Sequence, residues 1–283
     1  MSHIGVLHPG SMGISLAVSA LATGHVVCWA SAGRSLATRE RAEEHGLTDL
    51  GSLAQLCDQC EAIISICPPM ATEQVAQDVA RCGFEGVYLD ANAISPERGQ
   101  VIAGTITAAG GRFVDGGIVG GPAWTAGKTF LHLSGEWADE VATWFRDGLL
   151  ETNVLGKGTT QASALKMCFA AYTKGTAALF YGILATSEAL GVREALVHQW
   201  SLSPELAGQL AERAGIGAGG VTSRAWRWID EMQEISRTFE DAGLPGGFHA
   251  AAAEVFRRIE SLRDEADPST DDVVAAMLEA RPK

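Results

Sequence analysis

Short apolar runs alternate with helix-patterned stretches through the first half of the chain. Ile4–Leu7, Val26–Ala30, Ile63–Cys67 and Val87–Asp90 read as strands, with two more at Arg112–Asp115 and Phe130–Leu133. Between them Ser11–Thr23, Arg34–His45, Ala71–Cys82 and Pro96–Ala109 carry the spacing of amphipathic helices. The strand runs are apolar throughout rather than at every second residue, which marks strands covered on both faces, and strand–helix alternation is the wiring of a parallel sheet. The expected fold is α/β, a doubly wound parallel sheet of the Rossmann type, followed by an all-α C-terminal domain.

The second rhythm begins at Gln161. A helical pattern runs to about Leu190 with only Lys166, Lys174 and Glu188 charged, so it should be covered on nearly every side. Helices follow over Arg193–Trp200, Pro204–Ala214, Thr222–Asp241, Gly247–Arg263 and Asp271–Ala280. The chain is expected to divide into an α/β domain, residues 1–156, and a helical domain, residues 157–283.

Composition narrows the function classes. With 34 acidic against 21 basic residues the net charge is −13, which argues against nucleic acid or any partner held by phosphate neutralisation. No apolar run is long enough for a membrane span and the opening residues lack a leader pattern, so a cytoplasmic protein is expected. The cysteines sit mostly in apolar patterns, as reduced thiols do. Cys57-x-x-Cys60 has neither a second pair nor a histidine at zinc spacing, and no metal is expected.

The first strand leads into His8-Pro9-Gly10-Ser11-Met12-Gly13 and then a helix. In that context a turn without side-chain bulk lets a pyrophosphate reach the free N–H groups and positive dipole end of the helix. Gly10 supplies the close approach and Gly13 the tight packing, while His8 stands where the G-x-G-x-x-G pattern has its first glycine. About 20 residues further on, an NAD site carries an acid for the ribose 2′-hydroxyl. This chain has Ser31, Arg34 and Ser35 there and no acid until Glu40. Hydroxyls and a planar guanidinium suit a 2′-phosphate, so NADP is expected in preference, with NAD possible.

Taken together these motifs resemble the β-hydroxyacid dehydrogenase and 6-phosphogluconate dehydrogenase superfamily, in a bacterial branch carrying H-P-G-x-M-G. Cys67-Pro68-Pro69 resembles the family's loop beside the cofactor, and Asp90-Ala91-Asn92 its strand end before a Ser-Pro helix start. By that likeness Asn92 lies near the nicotinamide ribose and the substrate. Asp115-Gly116-Gly117-Ile118-Val119-Gly120-Gly121 resembles the substrate-binding D-A-P-V-S-G-G, with Val119 in place of Ser; the N–H groups of Gly120 and Gly121 remain to hold a carboxylate. Lys166 falls on the family's catalytic lysine and Phe169 replaces its Asn or His. Counting back from Gly243 and Pro245 puts Asp230 at a family Lys and Glu231 at the following substrate-binding Asp.

The resemblance implies hydride transfer between the nicotinamide and a small hydroxyacid, hydroxy compound or its carbonyl, with Lys166 as general acid–base. Its apolar neighbours Leu165, Met167, Cys168, Phe169 and Ala170 would lower its proton affinity. Lys174 lies eight residues along the same helix, about 12 Å away, too far to share one hydroxyl. Trp226, Trp228, Phe248 and His249 read first as helix-core residues. The resemblance also implies a homodimer joined through the helical domain. Oxidative decarboxylation of a β-hydroxyacid, imine reduction and a non-catalytic NADP-binding regulator stand as alternatives.

Overall fold

A computed structural model describes residues 1–206, 208 and 218–279. Its strands are β1 (His3–Val6), β2 (Val26–Trp29), β3 (Thr48–Asp49), β4 (Ala62–Ser65), β5 (Val87–Asp90), β6 (Arg112–Val119), β7 (Phe130–Ser134) and β8 (Glu151–Gly156). They form one sheet in the order β3-β2-β1-β4-β5-β6-β7-β8. The first six run parallel, and β7 turns back antiparallel to β6. The chain winds one way from β1 and the other way from β4, so the strand order reverses between them. A crevice opens at such a reversal, at the carboxyl ends of the strands.

Helices α1 (Ser11–Ala22), α2 (Leu36–Glu44), α3 (Leu53–Gln59), α4 (Thr72–Arg81) and α5 (Pro96–Ala108) make the crossovers. Neighbouring strand residues feed opposite faces: Ile64, Leu89 and Val114 join one buried cluster, Ile63, Tyr88 and Phe113 the other. Burial on both sides is why these strands read as unbroken apolar runs. The expected doubly wound sheet is therefore present. Strands β3 and β8, α3, and α6 (Ala138–Ala142) have no counterpart among the expected elements. β3 is two exposed polar residues, and β8 has no buried position and opens with exposed Glu151 and Asn153, so neither leaves an apolar run.

The helical part contains α7 (Gln161–Ala189), α8 (Arg193–Ser201), α9 (Gly219–Asp241), α10 (Gly247–Arg258) and α11 (Thr270–Glu279). The expected Pro204–Ala214 helix falls largely outside the described residues, as does Ala280. Two compact units divide at Phe169/Ala170, not at 156/157. The difference has a physical cause: the first turns of α7 pack on β6 and count with the sheet. Within the second unit, Trp228 meets Phe256 edge-on at 5.2 Å, and the His249 ring lies 4.4 Å from Phe239, joining α9 to α10.

The expectation that α7 is covered all round is corrected. Tyr172 is 74% exposed, Leu179 48% and Ile183 38%. Their spacing places them along one open stripe of the helix.

Candidate coenzyme and catalytic site

The turn between β1 and α1 is shaped by one close contact. A Cβ on Gly13 would sit 2.2 Å from the His8 carbonyl oxygen and 3.0 Å from Ile66, so only glycine lets the helix start this near the strand end. At Gly10 the same test meets nothing within 4 Å, leaving the turn open. Gly10 is the N-cap of α1, no side chain caps that end, and no acid occupies its first turn. Arg41 fixes the loop by donating from Nη1 to the Pro9 carbonyl at 3.3 Å.

Beside this turn, Ser31, Arg34 and Ser35 follow β2. The Ser31 N–H donates to Asp49 Oδ1 at 3.2 Å, and the Ser31 carbonyl accepts from Arg39 Nη2 at 2.9 Å. Ser35 caps α2, accepting from the Thr38 N–H at 3.4 Å. Sequence reasoning missed Asp49. It lies far along the chain from Ser31, yet β3 pairs with β2 and sets Trp29 opposite Asp49. Burial works to raise its pKa, but the Ser31 hydroxyl and the Gly51 and Ser31 N–H groups outweigh it and hold Asp49 below the usual carboxylate range.

Asn92 proves to be a staple. Only 3% exposed, it donates from Nδ2 to Asp90 Oδ1 at 2.8 Å and to Ser65 Oγ at 3.2 Å, and its Oδ1 accepts from the Cys67 N–H at 2.5 Å. It thus ties the end of β5 to the Cys67-Pro68-Pro69 loop after β4. Arg98 braces that loop from the other side, donating to the Pro69 carbonyl at 2.9 Å and to Glu73 at 2.8 Å.

On the neighbouring strand, Asp115 lies opposite Asp90 and holds the start of α7. It accepts from the Ser163 N–H at 2.8 Å, the Ser163 hydroxyl at 2.5 Å and the Ser134 hydroxyl at 3.2 Å. A carboxylate at a helix N-terminus is stabilised by the exposed N–H groups there. Two residues on, a Cβ at Gly117 would lie 2.4 Å from the Ala162 carbonyl oxygen and 3.0 Å from Lys166 Cβ. The missing side chain lets α7 press against β6, and Lys166 comes to rest half-buried at the carboxyl end of the sheet. Its neighbours Cys168 and Phe169 are exposed, so the apolar surround expected from sequence is partial. Val119 is half-buried, and Gly120 and Gly121 are exposed in the loop after β6, where Thr129 Oγ1 donates to the Gly121 carbonyl at 2.8 Å.

Glu231 lies on α9 in the second unit. It is ion-paired with Lys174 of α7, whose ammonium is 5.5 Å from the Trp228 ring centroid. Lys174 is thus engaged with Glu231.

Burial, against the pull of Asn92 and with Asp115 nearby, pushes Asp90 up to about 7. Burial also pushes Asp115 up to about 6 against its three donors. A carboxyl raised in the native state keeps its proton after the unfolded chain has lost it. The stability contributed by Asp90 is therefore full below 3.8 and drains away as pH climbs to about 7. His8, pushed down to about 4 by burial and the Arg34 charge, works in the opposite sense and cancels between variants. Asp90→Asn, which mimics the protonated acid, should thus gain melting temperature relative to the parent between pH 5 and pH 8, a window on the order of a few kcal/mol. Parallel melting curves would contradict this.

Comparison with known proteins bears directly on the turn. Residues 3–139 match the NAD binding domain of 6-phosphogluconate dehydrogenase, and residues 187–259 match a domain of unknown function, DUF1932. A relative from Methanothermus fervidus, an uncharacterized 28.5 kDa protein, is 27% identical over 165 residues, 58% of this chain and 63% of its own length. The match therefore spans less than two thirds of that relative. Among solved structures, a conserved protein of unknown function, described as structurally similar to 3-hydroxyacid dehydrogenases, is 25% identical with a TM-score of 0.70, covering 92% of this chain and 98% of its own. A conserved hypothetical protein from Sinorhizobium meliloti 1021 shares 24% identity at TM-score 0.70, with 99% and 96% covered. The 3-hydroxyisobutyrate dehydrogenase of Mycobacterium tuberculosis shares the fold at 17% identity and TM-score 0.70, with 98% and 99% covered.

The residues matched by that NAD-binding domain model fit a nicotinamide dinucleotide. His8 Nδ1 and Arg34 Nε are both buried without a hydrogen-bond partner, and the Arg34 charge bears on His8. Buried polar atoms rarely stay unpaired, so one in the β1–α1 turn and one in the segment between β2 and α2 mark a place for a polar ligand. With the open space at Gly10 and the uncapped α1, they form a cradle for an anion. Among the described residues no helix is long and apolar enough to cross a membrane, and no cluster of three or more His, Cys, Asp or Glu could hold a metal.

Proposed function

We propose that this chain is an NADP-dependent oxidoreductase acting on a small hydroxyacid, hydroxy compound or the matching carbonyl, with Lys166 as general acid–base. The observation that carries the reading is the contact at Gly117, which draws Lys166 to the carboxyl end of β6, the end of the sheet where the β1–α1 turn also opens. When bound, the nicotinamide supplies the hydride donor or acceptor.

His8, Pro9, Gly10, Ser11, Met12 and Gly13 would hold the pyrophosphate on the N–H groups of α1. Arg34, with Ser31 and the Ser35 end of α2, would take the 2′-phosphate. Asp49, a carboxylate beside Ser31, is tied down by the Ser31 and Gly51 N–H groups with the Arg39 charge nearby. The Cys67-Pro68-Pro69 loop would line the nicotinamide side, with Asn92 acting through it rather than by direct contact. Lys166 would hold or release the proton of the substrate hydroxyl, and Val119, Gly120 and Gly121 would offer main-chain groups to a substrate carboxylate. A role for Glu231 toward substrate would be shared with Lys174.

The test is NADPH consumption over a panel of small oxoacids, ketones and aldehydes, each with and without an amine. Turnover without amine is expected. Turnover only with amine would make the chain an imine reductase, CO2 release from a β-hydroxyacid would make it an oxidative decarboxylase, and NADPH binding with no turnover would leave a regulator.

The open stripe of α7 supports a homodimer. A groove of about 490 Å3 lies between Leu179, Ile183 and Leu190 on one side and Phe248, Ala251 and Val255 on the other. A second copy of the chain would cover it, and a monomer mass by light scattering would rule that out.

A further inference from the structure

Two acids sit side by side where β5 ends. Asp115 on β6 lies opposite Asp90 in register, so both side chains leave the same face of the sheet, with about 4.8 Å between their strands. Both are buried. Two like charges this close in a dry interior cannot both persist, so the pair keeps a proton that exposed carboxyls would have lost. The donors decide where it sits. Asp115 takes hydrogen bonds from the Ser163 N–H, the Ser163 hydroxyl and the Ser134 hydroxyl, whose oxygen in turn accepts from the Ala162 N–H at 3.0 Å. Asp90 takes the N–H and Nδ2 of Asn92 on Oδ1, and its Oδ2 is buried without a partner.

We propose that Asp90 and Asp115 are a pair of positioning residues sharing one proton: charged Asp115 sets Lys166 through the first turn of α7, and protonated Asp90 sets the Cys67-Pro68-Pro69 loop through Asn92. The inference rests on the proposed roles of Lys166 and that loop. Lys166 follows Ser163 by three residues on the same helix, with its Cβ against Gly117, so the acid that holds Ser163 also fixes where the ammonium starts. A carboxylate with three donors keeps its charge. A proton on Asp90 removes a charge that has no donor at Oδ2. The proton affinities agree with this order: burial first, in both cases, pushes Asp90 up to about 7 and Asp115 up to about 6. The other charged or titratable groups around the pair are Arg98 from α5, itself paired with Glu73 of α4, Cys67 from the loop after β4, Tyr88 on β5 and Lys166 from α7. As pH rises through about 7 the proton leaves, and the two charges repel and shift the end of β5 with the loop tied to it.

The experiment compares the full-length parent with Asp115→Ala, Asp115→Asn and Asp90→Asn. Asp115→Ala should lower kcat by about 10²-fold, the cost of a misplaced group, while KM for NADPH stays within about twofold. Asp115→Asn keeps an acceptor for the Ser163 N–H and should restore most of that rate. Asp90→Asn mimics the protonated acid, so its KM for NADPH should stay level from about pH 6 to pH 8 while that of the parent rises roughly threefold. Infrared difference spectra of parent against Asp90→Asn, taken between the two affinities, should show the C=O stretch of a protonated carboxyl in the parent alone. That readout needs no turnover and stands even if Asp115→Ala fails to fold. An unchanged kcat in folded Asp115→Ala, matching pH profiles of parent and Asp90→Asn, or no protonated-carboxyl difference between them would each overturn the pair. Failure of the parent to bind NADPH, or normal turnover of Lys166→Ala, would instead overturn the reading beneath it and the pair with it.

Discussion

Lys166→Ala is expected to lower turnover by about 10²–10⁴-fold, the usual contribution of a positioned acid–base group, while NADPH binds as before. The residue projects from α7 where Ala162 and Lys166 pack on Gly117, so truncation removes the ammonium without disturbing the contact at Cβ. Lys166→Arg keeps the positive charge but cannot release a proton near neutral pH, and it should not restore activity. Steady-state rates on the best substrate from the panel decide the matter. Near-normal turnover of Lys166→Ala would remove the lysine from the chemistry. Lys174 offers no easy substitute, because it is ion-paired with Glu231.

Gly13→Ala should be damaging out of proportion to one methyl group. The added carbon would meet the His8 carbonyl oxygen at 2.2 Å, and a main-chain atom cannot swing aside as a side chain can. Either α1 moves away from β1 or the turn reshapes, and both displace the N–H groups proposed to hold the pyrophosphate. Overpacking of this kind costs about 1–3 kcal/mol. A drop of several degrees in melting temperature and at least a roughly tenfold loss of NADPH affinity are expected. An unchanged affinity would mean that the coenzyme does not use this turn.

The sheet was legible because its strands are buried on both faces and so leave unbroken apolar runs, as Ile63–Ile64 and Tyr88–Leu89 show. The tight strand-to-helix turn at Gly13 was legible because the close approach of α1 to the His8 carbonyl needs a residue without a side chain there. What escaped notice depends on pairing between distant segments. Asp49 is brought beside Ser31 by a two-residue strand too short and polar to leave a pattern. The amide of Asn92 is spent on Asp90, Ser65 and Cys67, a saturation that no local reading of Asp90-Ala91-Asn92 reveals. The unit boundary shifted for a similar reason: Asp115 and Gly117 hold the first turns of α7 to the sheet, and neither contact has a signature in the helix itself. The apolar composition of α7 predicts cover on nearly every side, but composition does not say whether that cover comes from the same chain, and Tyr172, Leu179 and Ile183 stay open within it.

The proposed chemistry depends first on whether the β1–α1 turn holds a nicotinamide dinucleotide. Calorimetric titration of the purified protein with NADPH and with NADH tests this directly. Saturable binding is expected, tighter for NADPH, with Arg34→Ala weakening NADPH more than NADH; no association with either coenzyme would contradict it.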